Sequence, residues 1–193
     1  MPGVRLFIAV KVIPEKETLY CFHNLKKQIK GKVSWVPVEN WHVTLVFIGK
    51  CKKELISSIS ASMDEVSGSF SGFESAVSGL GCFRKRNAAS AIWFGIQDDK
   101  KNFASLSQAI CQKLPITGIK KADGFMPHLT IGRIRGEVND QQLRELEMQY
   151  SKLVFQKLRV EEFILYNSDL TPRGAVYTSL RKTRLNPMPP DNG

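Results

Sequence analysis

Alternating apolar and polar positions open the chain. Val4, Leu6, Ile8, Val10 and Val12 fall on one side of an extended segment, and Arg5, Phe7, Ala9 and Lys11 on the other. A period of two predicts a strand with one buried face. After Pro14 the period changes. Leu19, Phe22, Leu25 and Ile29 recur at helical spacing over Glu15 to Lys30, and Gly31 supplies a stop. Trp35 to Val38 reads as short and extended, Trp41 to Ile48 as a strand ended by Gly49, and Lys53 to Val66 as a helix. Phe73 to Phe83 and Ala88 to Ile96 predict two strands joined by the basic turn Arg84-Lys85-Arg86-Asn87. Lys101 to Leu114 predicts a helix broken by Pro115, and Pro127 to Ile134 a strand. Asp140 is placed as the N-cap of a helix reaching Tyr150. Phe155 to Asn167 and Ala175 to Lys182 are the last strands, about a turn at Thr171-Pro172-Arg173-Gly174.

The elements sum to an α+β protein with largely antiparallel strands and no boundary linker. An imperfect internal echo runs through it: a strand bearing His-x-Thr, followed by a helix, occurs once in each half. Residues 1–185 read as one domain or two intimately joined lobes, and the Pro-rich tail 186–193 as disordered.

Composition adds a polyanion to the picture. The 193 residues carry 28 Lys and Arg against 18 Asp and Glu, a net charge of +10. That balance steers nucleic acid or nucleotides toward the surface. The four cysteines, at 21, 51, 82 and 111, form no C-x-x-C pair and have no His at zinc-finger spacing. They are expected as reduced, mostly buried thiols. The N-terminus lacks a basic region and a cleavage site, and no apolar run spans a bilayer, so the expected location is the cytoplasm with no membrane partner.

The chemistry sits in the histidines. There are only three, and two of them open nearly the same tetrapeptide, His42-Val43-Thr44-Leu45 and His128-Leu129-Thr130-Ile131. At average usage a given His has Thr two positions later about one time in twenty, so the doublet is not chance. Residues i and i+2 of a strand share a face. His42 and Thr44 therefore project together while Val43, Leu45 and Phe47 anchor the core face; His128 and Thr130 do the same against Leu129 and Ile131. Two imidazoles and two hydroxyls facing one cleft suit a phosphodiester. One neutral imidazole takes a proton from water, and one imidazolium gives a proton to the leaving oxygen. The hydroxyls donate to non-bridging oxygens as charge builds. A structural role for the pair and a zinc site compete with this reading, but no Asp, Glu or Cys lies at ligand spacing. His23, beside Phe22 on the first helix, reads as a surface residue.

The sequence resembles the 2H phosphoesterase superfamily, and within it the RNA 2′,3′-cyclic phosphodiesterases also called 2′-5′ RNA ligases. Two H-x-T motifs define that superfamily. Further matches are Arg5-Leu6-Phe7-Ile8-Ala9, the run from Glu39 to Gly49, Gly79 to Phe83, Ile92 to Ile96, Pro127 to Arg133, and Tyr166 to Tyr177. The resemblance implies a bilobal, pseudo-two-fold fold, with antiparallel sheets lining a central cleft and helices outside. It implies opening of a terminal 2′,3′-cyclic phosphate on RNA or a nucleotide to a 2′-phosphate, with no cofactor, no metal and a weak reverse 2′-5′ ligation. By the same resemblance His42 protonates the leaving O3′, His128 activates water, Thr44 and Thr130 hold phosphate oxygens, Phe7 stacks on the terminal base, and Arg133 meets the substrate. A monomer is assumed.

Strict alternation puts Arg133 on the face away from His128, so it reaches the cleft only if the strand bulges or ends near Gly132. Arg84-Lys85-Arg86, with Lys50, Lys52, Lys53, Lys120 and Lys121, is a candidate rim for guiding RNA or a set of ordinary solvated charges. Gly79-x-Gly81 lacks a third Gly and a following helix, so it is not a dinucleotide loop. Two other functions remain open at this stage: a module that binds RNA ends or 2′-5′ oligonucleotides without turnover, and a phosphodiesterase acting on another cyclic or 2′-5′ phosphate.

Overall fold

A computed structural model describes residues 3–85, 88–116, 125–172 and 174–189. The chain runs β1 (Val4–Lys11), α1 (Lys16–Gln28), β2 (Gly31–Trp35), a 3-10 turn (Val38–Asn40), β3 (His42–Cys51), α2 (Leu55–Ser67), β4 (Phe73–Lys85) and β5 (Ala88–Ile96). It continues through α3 (Asn102–Lys113), β6 (His128–Val138), α4 (Asp140–Tyr150), β7 (Val154–Val160), β8 (Glu162–Thr171) and β9 (Gly174–Arg184). All strands join one antiparallel sheet in the order β7-β4-β5-β6-β3-β1-β8-β9, with β2 also paired to β6. From the centre outward, β3-β1-β8-β9 mirrors β6-β5-β4-β7. The two H-x-T strands are the innermost pair of that arrangement, and they touch through a single bridge, Val43 to Leu129. Beyond that bridge β3 follows β1, while β6 follows β5 and β2.

The core lies between the sheet and the four helices. Leu6, Ile8, Val10 and Val12 are buried as the alternation predicts, but Phe7 and Ala9 of the other face are buried too and Val4 is half-buried. Trp41, wholly buried just before His42, meets Phe22 of α1 and Phe94 of β5 edge-on and donates its indole N–H to Val36 O at 3.2 Å. No helix among the described residues is long and apolar enough to cross a membrane.

Several boundaries differ from expectation. The segment Phe155 to Asn167 is two strands at distant places in the sheet: β7 pairs with β4, and β8 with β1 and β9. The glutamates at 161 and 162 break the burial pattern between them. Gly49 does not end β3; at φ +83° it sits beside a second bulge, and the strand runs on to Cys51. The α4 cap is Asn139, whose side chain accepts from Gln142 N–H at 3.0 Å. Asp140 instead pairs with Arg84 and Arg144. On α1 the buried residues are Thr18, Cys21, Phe22 and Leu25, with Leu19 only half-buried. None of the four cysteines is in a disulfide, and only Cys21 is buried. Asn186 is fixed rather than disordered: it pairs with Ser71, and its side chain donates to Gly68 O at 2.9 Å. The tail residues 190–193, the turn residues Arg86, Asn87 and Arg173, and Lys120 and Lys121 lie outside the described residues.

One buried polar group holds α1 against the far edge of the sheet. Gln156 of β7, 6% exposed, accepts from Glu15 N–H at 2.9 Å and from the Thr18 hydroxyl at 2.8 Å, and donates to Ile13 O at 3.0 Å. Removing the carboxamide strands the buried Thr18 hydroxyl and two part-buried backbone groups, Glu15 N–H and Ile13 O. Gln156→Ala is expected to destabilise the fold by about 2–4 kcal/mol in denaturant titration; a loss below about 0.5 kcal/mol would mean that water satisfies those groups equally well.

Candidate active site

Each catalytic-type histidine is set by the same local device. The His42 Nδ1 lies 2.6 Å from the carbonyl oxygen of Asn40, and the His128 Nδ1 lies 2.9 Å from that of Met126. A carbonyl can only accept, so Nδ1 carries the proton in both rings and Nε2 is left for chemistry. Asn40 is itself tied down, because its side chain donates to Ala175 O of β9 at 3.0 Å. It therefore orients His42 twice over, a role the sequence reading did not assign. The fully buried Trp41 and the buried Pro127 hold the peptides between carbonyl and histidine.

Register brings the four groups together. With Val43 opposite Leu129 in antiparallel pairing, His42 falls across from Thr130, and Thr44 across from His128. All four are half-buried on one face, with Val43 and Leu129 in the core behind them. Continued as a ladder, that register makes the two imidazoles diagonal neighbours within about 8 Å, and the charge of His128 acts on His42.

Both H-x-T strands then bulge at the next residue. Leu45 is the extra residue between Ile8–Val46 and Ala9–Thr44, and Ile131 the extra residue between Ile92–Gly132 and Trp93–Thr130. Each bulge carbonyl finds a partner outside the ladder: Ser107 of α3, buried, donates its hydroxyl to Leu45 O at 2.7 Å, and Val36 N–H donates to Ile131 O at 2.9 Å. A bulge reverses the facing of every later residue. This puts Arg133 on the cleft face, which resolves the conflict with strict alternation. It also overturns the expectation for Phe47, which leaves the core and stands 53% exposed in the cleft.

The cleft has a volume of about 710 Å³. Its walls come from β1 (Arg5, Phe7), β3 (His42, Thr44, Phe47), the Ser34–Pro37 stretch, β6 (Arg133, Arg135) and the β8–β9 hairpin up to Tyr177. His128 and Thr130 stand across the bridge from this volume, with the His128 ring against Phe83 and Trp93. Trp93 lies flat over Gly81, where any Cβ would meet the ring at 2.1 Å. That is why glycine stands there, and no nucleotide loop is involved. Phe7 lines the cleft but is only 4% exposed; Tyr166 stacks on it at 5.1 Å, and His42 and Tyr177 each close on it at 4.9 Å. Phe7 thus offers little open surface, and the half-buried Tyr177 meets His42 edge-on at 5.3 Å.

Electrostatics favour neutral imidazoles. Burial drives the His42 pKa down to about 4, and the charges of Lys11, Arg133 and His128 push the same way against the Asn40 bond. Burial lowers the His128 pKa also, with Arg133 adding to it. The charge of Arg133 thus reaches both rings. Arg84 plays a different part from the expected rim: its guanidinium spans Asp140 at 3.1 Å and Glu147 at 2.6 Å, fastening α4 to β4. Lys50, Lys52, Lys53 and Lys85 are exposed, and His23 is exposed on α1.

Known proteins carry the same architecture. A family model described as LigT like Phosphoesterase matches twice, over residues 14–93 and 95–177, each match containing one H-x-T motif. A protein of Methanocaldococcus jannaschii named RNA 2′,3′-cyclic phosphodiesterase is 31% identical over 181 residues, covering 93% of this chain and 99% of its own. One of the same name from Archaeoglobus fulgidus is 30% identical over 183 residues, covering 92% and 98%. The crystal structure of E. coli LigT complexed with 3′-AMP superposes with a TM-score of 0.73 at 21% identity, covering 95% of this chain and 98% of that one.

Proposed function

Because the chain belongs to the LigT-like phosphoesterase family, we propose that it hydrolyses a terminal 2′,3′-cyclic phosphate on RNA or a nucleotide and leaves a 2′-phosphate. The observation that carries this reading is the paired tautomer lock: two Nδ1 atoms bonded to the carbonyls two residues back, on strands bridged at Val43 and Leu129. It leaves two Nε2 atoms on one face with a proton to give and a lone pair to take one. The relatives named RNA 2′,3′-cyclic phosphodiesterase support the substrate class.

The step runs as an in-line displacement. His128 Nε2 takes a proton from water as the water oxygen bonds to phosphorus. The P–O3′ bond breaks, and His42 Nε2 gives its proton to O3′. The Thr44 and Thr130 hydroxyls donate to the non-bridging oxygens, and Arg133 balances the growing charge. Burial favours the neutral form of His42, and the charge of the phosphate anion is what loads it with a proton. The terminal base rests beside Tyr177, with Phe7 backing that ring and His42 from behind. With the 5′-hydroxyl of a second strand in place of water, the same displacement forms a 2′-5′ phosphodiester and frees O3′, which is the weak 2′-5′ ligation. The same reading has the protein working in the cytoplasm, as a monomer and without metal or organic cofactor.

Product analysis tests it. RNA ending in a 2′,3′-cyclic phosphate is expected to yield a 2′-phosphate end, at undiminished rate in a chelator. A 3′-phosphate product would reverse the assigned leaving group. Retained RNA affinity with no turnover would make the protein a binding module.

A further inference from the structure

The cleft is built for more than one phosphate. Arg5, Arg133 and Arg135 line it, and no Asp or Glu is among its described lining residues. A 2′,3′-cyclic phosphate carries one negative charge, and Arg133, whose charge reaches both imidazoles, answers that one. Arg5 lies elsewhere. It pairs across the sheet with Lys50, six residues along β1 from Lys11, the partner of His42. Its guanidinium sits 5.0 Å over the Phe47 ring. The Cα of Phe47 is itself roughly 15 Å along β3 from that of His42.

Phe47 is the second half of this arrangement. The bulge at Leu45 turns it out of the core, and it keeps 53% of its surface exposed beside a buried cross-strand neighbour, Phe7. An exposed aromatic face with an arginine on it is the platform that single-stranded nucleic acid uses, a base stacking on the ring and a phosphate meeting the guanidinium. A cyclic phosphate closes the 3′ end of its strand, so any further nucleotide must lie on the 5′ side.

We propose that the Arg5–Phe47 end of the cleft is a second nucleotide subsite, taking the base and phosphate of the residue 5′ to the cyclic phosphate. The inference rests on the cyclic phosphodiesterase reading. It makes the protein a processor of oligonucleotide ends with a built preference over mononucleotides.

The test compares kcat/KM for 2′,3′-cyclic AMP with that for the dinucleotide ApA ending in a 2′,3′-cyclic phosphate. Binding of the two products, 2′-AMP and ApA 2′-phosphate, is measured in parallel. The wild-type protein is expected to prefer the dinucleotide in both. Phe47→Ala should cut that preference by about tenfold, Arg5→Gln should cut it and weaken its salt dependence, and Phe47→Tyr should keep it. Unfolding midpoints near wild type confirm that the variants are folded. An unchanged preference in Phe47→Ala overturns the subsite. So does a preference lost in Arg135→Gln alone, because the strand would then leave by the opposite end. Absence of turnover on both substrates would remove the proposed activity, and the product-binding ratio would still decide the subsite.

Discussion

Replacing either His42 or His128 with alanine is expected to lower kcat on a 2′,3′-cyclic phosphate by about 10³–10⁴-fold, with the unfolding midpoint little changed. Each ring holds one Nδ1 bond to a carbonyl and is only half-buried, so its loss costs little packing. Catalytically neither ring can stand in for the other, because one must hold a proton while the other lacks one. The double variant should be hardly slower than either single one, since the two act as a unit. The pH profile provides a second reading. Both pKa values lie below the ordinary imidazole value, His42 at about 4. The free protein therefore loses its protonated donor as pH rises, and kcat/KM should fall on the alkaline side of an optimum displaced toward acid. A bound phosphate anion raises these pKa values, so the alkaline limb of kcat should lie at higher pH than that of kcat/KM. Coincident limbs would mean that the phosphate does not sit between the imidazoles. Activity above about a tenth of wild type in either alanine variant would remove the acid–base pair itself.

Thr44→Val and Thr130→Val are each expected to lower kcat by about 10²-fold, with KM changed much less. Valine keeps the β-branch that suits a strand and removes only the donor. The Val43–Leu129 register sets each threonine across from the other strand's histidine, so in the proposed step the two hydroxyls approach the phosphate from opposite strands. A hydrogen bond that strengthens as charge moves onto the non-bridging oxygens appears in kcat; one made equally to the ground state appears in KM. Steady-state kinetics of the two variants separate these outcomes. A rise in KM alone would make the threonines binding groups with no part in the barrier.

The strands and helices were legible because local pattern dictates them. Alternation located β1 but not the burial of its second face, and the expected strand Ala88 to Ile96 matches β5. Where a run of apolar residues serves two places in the sheet, the pattern misleads. Phe155 to Asn167 looks continuous because both of its strands are buried, and only pairing with β4 on one side and β1 on the other tells them apart. The basic turn misled in another way. Arg84 looks like a surface cation until α4 brings Asp140 and Glu147 to it from far along the chain.

The sequence by itself determined the reactive groups. A repeated His-x-Thr in two strands fixes which side chains share a face, since that follows from the two-residue period of any strand. Tertiary structure decided how those groups meet and what surrounds them. A bulge is a mismatch between two strands, so no single strand's pattern reveals it; the pairings of β3 with β1 and of β6 with β5 turned Phe47 and Arg133 into the cleft. The tautomer locks depend on backbone carbonyls, which carry no sequence signature. The burial of Phe7, which the resemblance assigns to the terminal base, comes from neighbours in space, Tyr166 and Tyr177, on strands some 160 and 170 residues away in sequence.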